Sequence, residues 1–321
     1  MRRALAAALL AIAAGGVPAS ISGKTGPEDF RRDFTALQAL DARVHAIGWK
    51  LRSGNAAFCP DTIHDTGLLL QDAGAYSKAA MLRREFSLEG DIFVQATAPG
   101  SPASRILSPL DVIEVVGGQA MRDLPWSKDE PWKRLLDVEA SLEANAGDGH
   151  PFPILVAGRA GTSQLDTTPA CRTRFEVVSA GDDIGADGER VRIARGFIGL
   201  GYVEDELAAA MAHELAHNIL RHPQWLSAHG RKRRDVRETE READRMMPWL
   251  LANAGYDPQA AVRFMQRWGP KNDGGLLRKR THDGWDERVD FIAAELPLIR
   301  AAMADGGPAD WTQRFVPRPI G

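Results

Sequence analysis

The sequence predicts an α+β protein: a mostly helical domain with a short β-sheet, interrupted by a small β-rich domain. Three observations predict it. Residues 204–222 contain no Gly or Pro, are rich in Ala and Leu, and set Leu207, Met211, Leu215 and Ile219 on one face. That is a helix, which Pro223 is expected to stop. A second helical stretch surrounds Glu240–Asp244, with Pro248 expected to kink or break it. Between Leu51 and about Thr168 the texture changes to short strand-like runs separated by Gly and Pro turns. At 321 residues the chain has length for about two domains and a sizeable core. The expected division is 1–19, an export signal; 20–58, a helical segment of the main domain; 59–168, the β-rich domain; and 169–321, the rest of the main domain.

The first residues have the pattern of a cleavable secretory signal: Arg2 and Arg3, an apolar run Ala4–Ala14, then Val17-Pro18-Ala19. The run is too short for a membrane span, which needs about twenty residues, and no later segment approaches that length. A soluble periplasmic or secreted protein is expected. Cys59 and Cys171 are the only cysteines, and in an oxidising compartment an isolated pair predicts a disulfide. The net charge of −3 is of mixed sign, so no nucleic acid partner is implied. The basic run Arg231–Arg234 reads as a solvated connector.

After the signal, Pro27 opens an amphipathic helix with Phe30, Phe34, Leu37, Leu40, Val44 and Ile47 on one stripe, and Gly48 is expected to end it. Strands follow at Asp91–Ala96, Leu110–Val116 with a Gly117-Gly118 turn, and Phe152–Gly158. Arg174–Val178 and Arg190–Ile193 alternate and read as two hairpin-like strands just before the long helix. An edge strand in that position could hold a substrate backbone in extended form.

The long helix carries the chemistry. His213 and His217 lie one turn apart on one side, so both imidazoles can reach one metal ion. Glu214, on the neighbouring flank, is placed to take a proton from metal-bound water. The positions three and six beyond His217 hold Leu220 and Pro223, which excludes the metzincin Gly and His. The third ligand is then expected on the following helix, where Glu240 and Asp244 share a face. Glu240 would complete a two-His, one-Glu site for one zinc ion per chain, and Asp244 would accept the distal N–H of a ligand histidine. The plain alternative is that Glu238, Glu240, Glu242 and Asp244 are a solvated acidic face paired with Arg237, Arg241 and Arg245.

Two resemblances extend this reading. The strand, the Pro99–Ser104 turn, the Asp111-Val112-Ile113 strand with its Gly turn, and the final strand near Arg159 and Gly161 resemble a circularly permuted bacterial PDZ domain. Its helix would fall near 132–144. The pattern departs where the usual Ala-Gly-Leu reads Arg105-Ile106-Leu107. Such a domain implies binding of an extended peptide or C-terminus by strand addition. Asp205–Ala208 leading into His213–His217, then Glu240–Asp244, then Ala254–Pro258, with His282 and Arg288 beyond, resembles the gluzincin metallopeptidases. That family includes HtpX, the CAAX prenyl protease and the periplasmic BepA-like enzymes.

The resemblance covers roughly 171–296 and implies a zincin-like fold. It makes His213, His217 and Glu240 zinc ligands, Glu214 the catalytic base, Asp244 and Arg288 their supports, and His282 a group close to the metal. His282 would either cap the open metal position or stabilise the oxyanion. The chain departs from the family where Asn-Ala gives way to Asp183–Ala186 and where a Pro after the late His is Asp283. The implied function is an exported zinc endopeptidase acting on unfolded or misassembled envelope polypeptides. The alternatives are a PDZ-type envelope adaptor or chaperone whose zinc site is capped or vestigial, and a zinc hydrolase acting on non-peptide bonds.

Overall fold

The computed structural model describes residues 26–272 and 283–319, and these form a mixed α+β protein. The export signal expected at 1–19 lies outside the described residues. Helix α1, Pro27–Gly54, is the spine. Pro27 sits at its start, where no N–H is needed, and Glu28 and Asp29 face the positive end of the helix. Gly48 does not end this helix. It is buried inside it, and a Cβ there would lie 2.5 Å from the Phe175 ring, so the glycine permits close packing rather than termination.

The two halves of α1 bury different cores. Phe30 and Phe34 pack with Tyr76, Leu82 and Phe93 of the β-rich segment, while Val44, Ile47 and Leu51 belong to the main helical core. The β-rich segment starts at β1, Thr62–Asp65, which pairs antiparallel with β8, Thr168–Cys171. This ladder forms a neck, and the expected Cys59–Cys171 disulfide closes it with Cα atoms 5.6 Å apart. A crosslink spanning about 100 residues is nominally worth about 4.7 kcal/mol in the chain-entropy model. Here the β1–β8 ladder already holds the same two ends together, so the bond contributes less.

Within the segment, β2 (Leu68–Asp72) pairs with β3 (Ile92–Thr97), and a second sheet runs β5-β4-β6-β7. Those strands are Gln119–Ala120, Ile113–Val116, Phe152–Val156 and Ser163–Leu165. A short helix α2, Ala79–Glu85, follows β2. Helix α3, Lys133–Ala146, forms where a helix is expected and buries Leu135 and Val138 against both sheets. The Gly117-Gly118 turn has positive φ at both residues (56° and 90°), as a two-residue hairpin loop of type I′ requires.

The sheet before the motif helix differs from expectation. β9 (Arg174–Val178) and β11 (Arg190–Ala194) are parallel neighbours, not a hairpin, and β10 (Ile184–Ala186) pairs antiparallel on the other side of β11. Period-two alternation reports which residues face the core but not strand direction. The sheet order β10-β11-β9 leaves β10 as an outer strand.

Helix α4, Glu204–Ile219, lies inside the main core among α1, α6, α7 and the sheet. Ala208, Ala209, Ala210, Ala212 and Ala216 are all buried, so its many alanines let neighbouring helices approach closely. Leu207, Met211, Leu215 and Ile219 are buried too, but the helix stops at Ile219 rather than at Pro223. Arg221 takes a left-handed conformation (φ 60°), and Pro223 instead occupies the first turn of α5, His222–His229.

Helix α6, Arg233–Asn253, runs through Pro248 without a break. A mid-helix proline costs about 3 kcal/mol. Met247, Trp249, Leu250 and Leu251 around it are all at most 2% exposed, and burial worth about 1.5–3 kcal/mol per large side chain outweighs that cost. Helices α7 (Ala260–Asn272) and α8 (Trp285–Ala302) complete the domain.

Candidate metal centre

Helices α4 and α6 pack against each other, and their facing turns bring His213, His217 and Glu240 together. One potential ligand atom from each lies within 4.8 Å of the others. The Nε2 atoms of His213 and His217 are 3.2 Å apart, and Glu240 reaches them at 3.5 and 3.6 Å through its two carboxylate oxygens. Ligands at about 2.0–2.1 Å from a tetrahedral zinc are separated by about 3.3–3.5 Å. The donor set and its spacing therefore fit a divalent ion, and Glu240 is drawn into the site, not left on a solvated acidic face.

Asp244 stands one turn beyond Glu240, 1% exposed, with its Oδ1 3.2 Å from His213 Nδ1 at an angle short of a regular hydrogen bond. Arg288 on α8 donates to both Asp244 oxygens, from Nε at 2.6 Å and Nη2 at 2.7 Å, and its Nη2 lies 3.9 Å from Glu240. Burial lowers the basicity of His213, but Asp244 and Glu240 outweigh it and push its pKa up to about 10. Burial wins at His217, which falls to about 3. The two imidazoles thus differ sharply: Asp244 and Glu240 both flank His213, whereas Glu240 alone reaches His217.

No family model matches the chain, and no curated protein matches it.

Glu214 lines the same cavity, which has a volume of about 610 Å³. Burial raises its pKa to about 7, and Glu240 adds to that, while His213 and the backbone N–H of Ala186 pull it back. Ala186 belongs to β10, so the outer strand and the acid share one wall with Asp183, Ile184 and Gly185. Phe197, Ile198, Phe264 and Trp268 add apolar lining to the cavity. His282 lies outside the described residues. Its successor Asp283 is tied to α6 by Arg241, with Oδ1 2.9 Å from Nη2 and a second, shorter contact from Nε.

One member of the site escapes a reading by helix periodicity. His222, fully buried, sits with its Nδ1 3.0 Å from His217 Nδ1. In an unbroken helix a residue five positions on points roughly 140° away. The left-handed turn at Arg221 redirects the chain and returns His222 to the His217 ring. The only sequence signal was a third histidine close to the motif.

Proposed function

We propose that this chain is a zinc-dependent endopeptidase of the gluzincin kind. The observation that carries the reading is a convergence: Glu214 shares one cavity with the His213, His217 and Glu240 donor atoms and with the outer strand β10. A zinc ion held by those three residues would supply Lewis acidity, polarising a carbonyl oxygen and making nearby water more acidic. Glu214 takes the proton of the attacking water and hands it to the leaving amine. Its position against Ala186 N–H holds the carboxylate in the cavity wall, and a cation beside it favours the basic form. β10 can pair with an extended polypeptide, and the apolar lining at Phe264 and Trp268 suits an apolar side chain.

The order strand, short turn, strand, helix, strand in the β-rich segment supports a PDZ-like insert that takes an extended peptide or C-terminus. The Cys59–Cys171 bond is compatible with an oxidising, extracytoplasmic compartment, and no helix among the described residues is long and apolar enough to cross a membrane. Unfolded envelope proteins are the substrate class that the resemblance implies.

The test compares wild type with Glu214→Gln on an unfolded polypeptide, with and without a zinc chelator. The variant should keep about one zinc per chain and lose cleavage by roughly 10²–10⁴-fold. Wild-type activity in Glu214→Gln would sink the proposal.

A further inference from the structure

His222 reaches a carboxylate on its far side. Its Nε2 lies 3.0 Å from Glu242 Oε2, and Glu242 in turn accepts from Arg318 Nη2 at 2.8 Å and Nε at 3.3 Å. Arg318 also binds Glu238 at 2.9 Å, donates its backbone N–H to the Leu220 carbonyl at 2.9 Å, and stacks 4.9 Å from the Trp225 ring centre. A continuous chain of contacts therefore runs from Arg318 through Glu242 and His222 to His217.

The polarity of that chain follows from its end. An ionised carboxylate only accepts, so His222 Nε2 must carry the hydrogen that Glu242 receives. His222 is fully buried, and a neutral imidazole that carries its hydrogen on Nε2 leaves Nδ1 as a bare acceptor. His217 Nδ1 faces that acceptor and must carry its own hydrogen. The remaining nitrogen, His217 Nε2, then presents a lone pair towards His213 and Glu240. That is the form a metal ligand needs.

We propose that His222 is a positioning residue for His217: linked to Glu242 and Arg318, it sets the Nδ1–H tautomer of His217 and so aims the Nε2 lone pair at the metal. The proposal rests on the zinc site inferred above. At His213 the Nδ1 faces the Asp244 carboxylate directly, whereas at His217 an imidazole stands between the ring and the carboxylate.

Three substitutions at one position test it. His222→Asn places an acceptor oxygen near the former Nδ1 and loses the reach to Glu242. His222→Gln places its amide near the former Nε2 and loses the acceptor for His217. His222→Phe keeps the ring and loses both. Zinc affinity is read by competition with a chromogenic chelator. The His217 tautomer is read from long-range ¹H–¹⁵N correlations of the metal-free protein, and thermal unfolding of the metal-free protein reports whether each variant is folded.

His222→Phe and His222→Gln should weaken zinc binding by about 10–100-fold, with His222→Asn within about threefold of wild type. His217 should be the Nδ1–H tautomer in wild type and in His222→Asn. Equal zinc affinity in folded His222→Phe, equal losses in the Asn and Gln variants, or an Nε2–H tautomer of His217 in the wild type would each overturn the proposal. Should His222→Phe fail to fold, the Asn and Gln pair decides alone. A wild-type chain that takes up no zinc overturns the metal-site reading instead, and the tautomer measurement then still decides the role of His222.

Discussion

In the β-rich segment Arg134 holds Asp72 through Nε at 2.7 Å and Nη2 at 2.6 Å; in the helical domain Arg288 holds Asp244 through the same two nitrogens at 2.6 and 2.7 Å. Both aspartates are essentially buried, at 0% and 1% exposure. What differs is what the pair faces next. Asp72 accepts the Gly74 N–H at 2.7 Å and Arg134 also reaches Asp91 at 2.7 Å, so every strong partner is used up inside the segment. Asp244 and Arg288 instead face outwards to His213 and Glu240 at the cavity wall. Two ion pairs of equal geometry therefore stand in different settings: one is closed within the fold and the other backs the candidate metal site. An arginine–aspartate contact is informative about function only through its remaining neighbours.

The largest effect should come from breaking either pair. Asp72→Ala and Asp244→Ala each strand a buried guanidinium and should cost about 3–5 kcal/mol of stability in urea unfolding. The cost should be lower for Asp72→Ala, because Asp91 stays on Arg134. The comparison sharpens on a second axis. Asp244→Ala should also weaken zinc binding by about 10–100-fold in chelator competition, since His213 loses its carboxylate partner. Asp72→Ala should leave zinc affinity unchanged in the folded protein, and a matching loss there would erase the distinction.

The smallest effect concerns a carboxylate of a third kind. Asp41 on α1 accepts from Gln95 Nε2 at 2.6 Å at the seam with β3, and no ion pair to it is found among the described residues. Burial raises its pKa to about 6 from 3.8, more than Gln95 and the more distant Arg195 lower it. Between those values the native state binds more protons than the unfolded one, so stability falls as pH rises from about 4 through 6. Asp41→Asn keeps an acceptor for Gln95 and removes the buried charge. It should stabilise by about 1–2 kcal/mol at pH 7.5, after allowance for solvent screening, and by less at pH 4.5. Equal gains at both pH values would mean that Asp41 titrates normally.

Much of the site was legible because its spacing is helical. His213 and His217 are one turn apart, Glu240 and Asp244 are one turn apart on the next helix, and α4 and α6 set the two pairs face to face. Arg288 was named only through a resemblance, yet it is the residue that holds Asp244. The disulfide was readable from the count of two cysteines taken with the export-signal pattern.

The residues alone pointed to α1, α4, α6, the strands β3, β4, β6, β9 and β11, the His213, His217 and Glu240 group and the Cys59–Cys171 bond, because each rests on local periodicity or on having a single available partner. Packing between distant segments decided the rest. Phe175 gave Gly48 its place inside α1, the burial around Trp249 carried α6 through Pro248, and β11 took β9 as a parallel neighbour while leaving β10 outermost. A single left-handed residue at Arg221 turned His222 back onto His217, where Glu242 and Arg318 could meet it. Backbone direction after a break is set by the contacts the following residues go on to make, and those contacts lie up to 93 positions away in the chain, from Trp225 to Arg318.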